Sequence, residues 1–306
     1  MINSVWNNRG RRKFMAVYCM SDIHGHLKQL QECLSMVQFR PGEDELYLLG
    51  DYIDWGPDNM DVLQFVMFLQ KNYPRHIHCL MGNHEDLMLQ TLVNFRMDIA
   101  DVWLNGNRGD HTLAQYQMLS EQEKLRVLTF LKNLSYGAEV ECEGKRYLLA
   151  HAYPYFPDPG KDQRLIHHMA LWKRLQYDDN PFEKMLEIYP ERKGEHFDKF
   201  IFGHTLTSGF FEDQLVKEKL HGKRPKIAET DYAAYRAALG TNVVFANEYM
   251  INIDCGGKCI GLWNDTNRKL RMEAEYARLA ILRLNDRAVF YSEPERPAEL
   301  QKECQI

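Results

Sequence analysis

The chain has 306 residues, of which 45% are hydrophobic and 26% charged, and its formal net charge is −5. These proportions are those of an ordinary globular protein with enough residues for a large core. The negative charge argues against nonspecific binding of nucleic acid as the main function. No apolar run approaches the ~20 residues that a membrane span needs, so a membrane partner is not expected.

The ends of the chain and its cysteines indicate the cellular compartment in which the protein is expected. Residues 1–14 form a basic tail without the apolar core of a signal peptide. Seven cysteines are scattered along the chain, and several fall inside predicted strands, which is typical of a reducing cytosol. We therefore predict a cytoplasmic protein with one domain over residues 15–293 and a polar tail over 294–306. Cys255 and Cys259 have no second cysteine pair, so they make a poor zinc site.

The first part of the chain alternates between short apolar runs and helical patterns. The predicted elements are strand Met15–Met20, helix Leu27–Val37, strand Leu46–Leu49, helix Met60–Phe68 and strand Ile77–Met81. Such alternation predicts a parallel sheet whose strands are joined by helical crossovers.

The rest of the chain is predicted to be helical first and then mostly strand. A helical stretch from Glu85 to Leu131 contains a glycine-rich turn at Asn105–Gly109. The later elements are hairpin strands Ala138–Glu141 and Arg146–Ala150, helix Leu165–Leu175, strand Phe200–Phe202, an insertion over 207–241, and strands Val243–Ala246, Tyr249–Asp254, Ile260–Trp263, Leu279–Leu284 and Val289–Ser292. The insertion holds a basic piece, His221–Lys226, and a predicted helix, Tyr232–Leu239. We predict an α/β fold, a two-sheet β-sandwich flanked by helices in a single domain.

Five predicted strands end in side chains of the kinds that bind metal ions. These strand-end residues are Asp22 and His24, Asp51 and Asp54, Asn83 and His84, His151, and His204. A single histidine at a strand end more often hydrogen-bonds a loop, but chance does not account for five matching ends. Oxygen and imidazole ligands without a thiolate favour a divalent ion such as manganese, iron or zinc. The set is large enough for two ions that share a carboxylate, and ions ~3.5–4 Å apart are a recurring device for hydrolysing phosphate esters.

The same motifs, in their order along the chain, resemble those of a known family. The motifs are Ser21–Gly25, Gly50–Asp54, Gly82–Glu85, His151, Gly203–His204 and Asn252–Gly256. Together they resemble the calcineurin-like metallophosphoesterases, and within these the bacterial members of the phosphoprotein phosphatase branch. The resemblance runs from about Ala16 to Trp263 and implies the same two-sheet sandwich flanked by helices.

The resemblance also implies a role for each strand-end residue. One divalent ion would be held by Asp22, His24 and Asp51, and the other by Asp51, Asn83, His151 and His204. Manganese is the expected metal, with iron or zinc as the alternatives. His84 would act as general acid, with Asp54 binding its other ring nitrogen. A hydroxide bridging the two ions would attack phosphorus in line.

Two positions bear on phosphate binding. The family usually follows its second aspartate with arginine and glycine, but this chain reads Asp54-Trp55-Gly56, and an indole lacks the cationic fork of arginine. Trp55 is then either a stacking surface for an aromatic substrate or a lid. Arg174 resembles the phosphate-binding arginine of the bacterial branch, with a solvated helix residue as the alternative. The turn from Asn105 to Leu113 resembles the family's Asn-Gly-Gly…Thr turn in a stretched form, and we assign it no substrate role.

Three functions follow from these residues. The leading one is a metal-dependent phosphatase acting on serine/threonine phosphoproteins or small aryl phosphates. The second is a dinucleoside polyphosphate hydrolase, in which Trp55 would stack on a base. His84-Glu85 is closer to the protein phosphatase form than to that relative's usual His-Asp. The third is a binding homologue that has lost catalysis, which the missing arginine favours and the complete ligand set opposes.

Overall fold

The computed structural model describes residues 15–218 and 242–295. The strands are β1 Val17–Met20, β2 Glu45–Leu48, β3 Ile77–Cys79, β4 Gly137–Cys142, β5 Lys145–Ala150, β6 Lys199–Phe202, β7 Phe245–Ala246, β8 Met250–Asn252, β9 Ala280–Arg283 and β10 Val289–Tyr291. They form two five-stranded sheets, in the orders β10-β9-β1-β2-β3 and β4-β5-β6-β8-β7. The predicted two-sheet sandwich is confirmed.

Helices cover the outer faces of both sheets. They are α1 Leu27–Met36, α2 Asn59–Asn72, α3 Asn83–Leu92, α4 Met97–Asp101, α5 Gly109–Gln117, α6 Glu121–Lys132, α7 Gln163–Trp172, α8 Pro181–Leu186, α9 Thr207–Glu218 and α10 Arg268–Ala274. Shorter turns are π-helical Val102–Gly106 and 3-10 helical Pro190–Arg192 and Gly257–Cys259. Among the described residues, no helix has both the length and the apolar character needed to cross a membrane.

Side chains of the central strands alternate between two buried layers. On β1, Tyr18 and Met20 pack with the helices that cover the first sheet. Val17 and Cys19 point the other way and pack between the sheets, where Leu149 of β5 meets them. Because both faces are buried, these strands appear in the sequence as continuous apolar runs rather than as alternating ones.

The strand directions bring the polar strand ends to one edge of each sheet. Strands β1, β2 and β3 are parallel, and so are β5, β6 and β8. The carboxyl ends of parallel strands are where open α/β sheets bind ligands. Gly50, just after β2, has a φ of +95°, and a Cβ there would overlap the backbone of Gly82 after β3. Glycine therefore allows the loops after β2 and β3 to touch.

The structure corrects two expectations near the C-terminal end. Ile260–Trp263, expected as a strand, lies outside both sheets. The preceding 3-10 turn and Gly261, at a φ of +77°, bend the chain there. The region expected to contain only strands also holds α10, which is capped by the Asn267 side chain accepting a hydrogen bond from the Lys269 N–H.

The expected insertion lies partly within the described chain. Residues 207–218 form α9, and Phe210 is buried in the core between the second sheet and its helices. The basic piece His221–Lys226 and the predicted helix Tyr232–Leu239 lie outside the described residues. All six cysteines that the structure describes are buried and none forms a disulfide, so a disulfide framework is absent from that part of the chain.

Candidate metal centre

The loops at the ends of the strands hold an unusual number of residues with positive φ. In the described ranges eleven non-glycine residues have this conformation, and six of them are the predicted site residues Asp22, His24, Asp51, Asp54, Trp55 and His204. Each costs on the order of 1–3 kcal/mol and persists only where the surroundings over-determine it. The strain is therefore concentrated where the polar strand ends meet.

The carboxylate of Glu85, in the first turn of α3, holds the loop after β2 in this conformation. Its oxygens accept hydrogen bonds from the N–H groups of Asp51 at 2.8 Å, Tyr52 at 2.8 Å and Gly82 at 3.1 Å. Burial and the negative charge of Asp51 raise the pKa of Glu85 to about 7. Sequence reasoning used Glu85 only as part of a motif and missed this role, because its partners lie more than thirty residues away, apart from Gly82.

One oxygen of Asp51 lies at the centre of three imidazoles. Its Oδ2 is 3.4 Å from His151 Nε2, 3.6 Å from His24 Nε2 and 3.8 Å from His84 Nε2. Burial opposes the charged form, but His151 and His84 outweigh it and hold the pKa of Asp51 well below its usual value. Asp51 thus favours its charged form and is shared by several ligand candidates.

Backbone carbonyls orient two of these imidazoles. His24 Nδ1 lies 3.0 Å from the Ile53 carbonyl oxygen, and His151 Nδ1 lies 2.9 Å from that of Leu49. A carbonyl can only accept, so Nδ1 carries the hydrogen in each ring and Nε2 faces Asp51. A carbonyl bound to the second ring nitrogen is the usual support of a metal-ligating histidine.

A second set of contacts surrounds Asn83. Its Oδ1 lies 2.9 Å from His151 Nε2 and 2.8 Å from His204 Nδ1. The Nε2 atom of His204 is buried and makes no hydrogen bond in the described part of the chain. Asp22 accepts the His204 backbone N–H at 3.0 and 3.1 Å, and burial together with Asp254 raises the pKa of Asp22 to about 8.

The residues fit two divalent ions. Two groups have ligand atoms that all lie within 4.8 Å of one another: His24, Asp51 and His84, and Asp51, His151 and His204. Asp51 belongs to both. A bound cation would give the buried, unpartnered imidazole nitrogen a partner. It would also stabilise the charged form of the crowded carboxylates, which otherwise resist ionisation. The first group contains His84, which the sequence assigned to proton transfer rather than to a metal.

We call the deeply buried residues of this centre the floor. They are Asp22, His24, Asp51, Asp54, Asn83, His84, His151 and His204, each at most 6% exposed. The distances between their side chains show that the structure brings all eight predicted strand-end residues together.

Within the floor, Asp54 and His84 form a separate pair. His84 Nδ1 lies 2.5 Å from Asp54 Oδ2, which also accepts the Trp103 indole N–H at 2.9 Å. The Thr112 hydroxyl donates to Asp54 Oδ1 at 2.5 Å. Burial alone would lower the pKa of His84, but Asp51 and Asp54 raise it to about 8.

Trp103 and Thr112 were not predicted as site residues. Thr112 falls in the stretched turn whose likeness to the family was noted, so that likeness was the available signal. Trp103 had none. A Cβ on Gly109 would overlap the Trp103 indole, which explains the glycine in this turn.

We call the more accessible residues above the floor the mouth: Trp55, Asn107, Trp172, Arg174 and Lys258. The cleft they frame has a volume of about 70 Å³.

Arg174 is exposed, and its guanidinium donates to the His204 carbonyl at 3.2 Å and to the Thr205 hydroxyl at 3.1 Å. The guanidinium of Arg108 lies 5.2 Å from the centre of the Trp55 ring and pairs with Asp265. Sequence reasoning missed Lys258 as well as Asp254, which also lines the cleft.

Comparisons with known proteins find relatives with two different names. A serine/threonine-protein phosphatase 2 from Salmonella typhimurium is 29% identical over 199 residues, which cover 62% of this chain and 80% of the relative. A symmetrical bis(5'-nucleosyl)-tetraphosphatase from Paracidovorax citrulli is 32% identical over 167 residues, 55% of this chain and about half (54%) of that relative. The crystal structure of a metallophosphoesterase from Sphaerobacter thermophilus covers 95% of this chain and 92% of its own, with a TM-score of 0.45 and 15% identity.

The family model described as calcineurin-like phosphoesterase matches residues 15–208, from just before β1 to the beginning of α9. The match spans more than half of the chain and contains every residue of the floor. The chain therefore belongs to the calcineurin-like phosphoesterase family, and it is a metal-dependent phosphoester hydrolase.

Proposed function

We propose that the protein hydrolyses phosphate monoesters of the phosphoprotein or aryl phosphate kind. The observation that carries this proposal is the His84–Asp54 pair, because a buried imidazole with a fixed carboxylate partner stands beside the shared ligand Asp51. A monoester with a poor leaving group needs such a proton donor, whereas simple binding of phosphate does not.

Two divalent ions, manganese by preference, would be held by two groups that share Asp51. The proposed ligands of one are Asp22, His24 and Asp51, and those of the other are Asp51, Asn83, His151 and His204. Such ions supply Lewis acidity toward phosphoryl oxygens and lower the pKa of water. The buried carboxylates and the Nε2 of His204 support this assignment.

The chain's own residues would position and protonate the substrate. Arg174 would bind phosphate oxygens, since its contacts are with neutral oxygens and leave its charge unpaired within the described chain. Asp54 can only accept at His84 Nδ1, so that nitrogen carries a hydrogen, and Nε2 is the atom able to donate a proton to the leaving oxygen. Trp103 and Thr112 would keep the Asp54 carboxylate in place.

The size of the cleft supports an end-group substrate. The cleft has a volume of about 70 Å³, far below the ~300–1,000 Å³ of pockets that enclose a whole drug-sized ligand, so most of the substrate would lie outside it. A phosphorylated side chain or a small aryl phosphate meets this condition.

A second candidate is hydrolysis of a dinucleoside polyphosphate. Trp55 lines the cleft and is half-buried, with the Arg108 guanidinium over its ring. An indole of this kind can stack on a base. The Paracidovorax citrulli relative is named for this activity, as the Salmonella typhimurium relative is named for the first, and each name supports its candidate.

A turnover panel separates the two candidates. The manganese-loaded protein is offered a phosphoserine peptide, para-nitrophenyl phosphate and diadenosine tetraphosphate, with the Asp54→Asn variant as control. Higher kcat/KM on the two monoesters, lost in Asp54→Asn for the peptide, is the expected result. Preference for the tetraphosphate would replace the first candidate by the second. Absence of turnover on all three, despite bound metal, would indicate a binding homologue.

A further inference from the structure

A second positive charge lines the cleft, and the strand-end pattern does not include it. It belongs to Lys258, in the 3-10 turn Gly257–Cys259 after β8. This position matters because Trp55 stands where the family usually has a phosphate-binding arginine. The chain then lacks one cation unless another residue supplies it.

The turn is fixed directly against the floor. A Cβ on Gly257 would overlap the backbone carbonyl oxygen of Asp22, so the turn packs on the loop that carries the first ligands. Gly257 and Cys259 are buried, and Lys258 between them is half-buried and lines the cleft. The backbone thus holds this side chain at the edge of the metal centre.

The ammonium group of Lys258 is not neutralised. In the described chain no carboxylate lies within the 4.0 Å that defines an ion pair with it, although Asp254 lines the same cleft. Burial raises the pKa of Asp254 and the charge of Lys258 opposes that rise, which places the ammonium group within electrostatic reach of this carboxylate. By contrast, the Arg108 guanidinium next to Trp55 is already paired with Asp265.

We propose that Lys258 binds the substrate phosphate together with Arg174, in the role left open by Trp55. The proposal rests on the function proposed above and names a further substrate-binding residue. An ammonium group acts as a compact point charge, so it suits a phosphate that the metal ions already orient.

The test uses inorganic phosphate as the probe and the manganese-loaded full chain. Three variants are compared by calorimetric titration: Lys258→Gln, Lys258→Arg, and Lys269→Gln as a matched control on the exposed side of α10. Loss of one charge-assisted hydrogen bond should weaken phosphate binding by roughly 10- to 100-fold in Lys258→Gln. Lys258→Arg should keep most of the affinity, and Lys269→Gln should match the parent. Metal content should be equal in all four proteins.

Two results would overturn the proposal. The first is a phosphate affinity in Lys258→Gln equal to that in Lys269→Gln. The second is recovery of affinity in the double variant Lys258→Gln/Asp254→Asn, which would mean that Lys258 only balances the charge of Asp254. Failure of the proposed function looks different, because a protein that binds phosphate through Lys258 but cleaves none of the three substrates contradicts the function and not this residue.

Discussion

The floor and the mouth of the cleft are built in opposite ways. Every floor residue is buried, and most are tied to a second residue by at least one hydrogen bond, as His84 is to Asp54 at 2.5 Å. The mouth residues are half-buried or exposed, and within the described residues the Arg174 guanidinium hydrogen-bonds one carbonyl and one hydroxyl. A restrained buried network fixes the chemistry, and a looser rim leaves the choice of substrate adjustable.

The two regions also differ in origin along the chain. The floor comes from the ends of β1, β2, β3, β5 and β6, whose geometry the sheets determine. The mouth comes mostly from loops and short turns, including the turn that holds Lys258, and Trp172 is the last residue of α7. We therefore expect substitutions in the floor to abolish function and substitutions in the mouth to redistribute it among substrates.

The largest effect should come from Asp51→Asn. Asp51 belongs to both ligand groups. Replacing its carboxylate by an amide should therefore remove one or both of the expected ions and abolish turnover. Elemental analysis after manganese loading and dialysis measures this directly. Asp98→Asn, on the exposed surface, is the control. A parent protein that retains no ion of any metal tried would contradict the metal centre itself.

The next effect concerns the His84–Asp54 pair. His84→Asn and Asp54→Asn should lower turnover by ~100- to 10,000-fold, the usual contribution of general acid catalysis. Metal content should stay near that of the parent. The loss should be smaller for esters with good leaving groups, which need little protonation. Equal losses on para-nitrophenyl phosphate and on an alkyl phosphate would remove His84 from this role.

A smaller effect should follow from Thr112→Val, which keeps the shape of the side chain but removes the hydroxyl that donates to Asp54. Losing a hydrogen bond to a charged group should lower kcat by roughly 10- to 100-fold on poor leaving groups. Thr112→Ser should restore most of it, because the donor returns. A loss of thermal stability with unchanged kcat would show that Thr112 supports only the fold.

The difference between floor and mouth also explains what the sequence could predict. Each floor residue follows an apolar strand, so a local pattern was enough to place Asp22, Asp51 or His204. Thr112 acts on Asp54 from 58 positions away. Lys258 lies in a turn that no periodicity marks. Contacts of this kind depend on how the sheets and loops pack, so no periodicity encodes them, and for Thr112 the only signal was the likeness of its turn to the family.

The wrong strand prediction has a physical reason of the same sort. Ile260 and Leu262 alternate with Gly261, which imitates the period of a strand. The structure buries Ile260 in the core around the first sheet, but Gly261 at a φ of +77° breaks the extended run. Helix α10 was missed although Asn267 before a run of good helix formers is a regular start signal.

At the mouth, Arg174→Ala should lower kcat/KM on para-nitrophenyl phosphate by at least about tenfold, the value of one charge-assisted hydrogen bond. The change should appear mainly in KM, because Arg174 binds the phosphate in the ground state as well as in the transition state. Arg164→Ala is a suitable control, since it removes an exposed arginine of α7. If Arg174→Ala has the same kcat/KM as this control on every substrate, Arg174 does not bind the phosphate.

The smallest effect is expected from Trp55→Arg, which restores the family's usual residue. The new guanidinium would stand beside that of Arg108, now 5.2 Å from the Trp55 ring, so repulsion should offset part of the gain. We expect kcat/KM on para-nitrophenyl phosphate to rise only roughly two- to fivefold. Adding Arg108→Gln should increase the gain by removing the repulsion, while Arg108→Gln alone should change little. If Trp55 instead stacks on a base, Trp55→Arg should reduce turnover of diadenosine tetraphosphate and leave the aryl phosphate unchanged. The kcat/KM of Trp55→Arg, Arg108→Gln and the double variant on para-nitrophenyl phosphate and diadenosine tetraphosphate therefore decides between two roles of Trp55. Either Trp55 weakens phosphate binding by replacing an arginine, or it binds a nucleotide base.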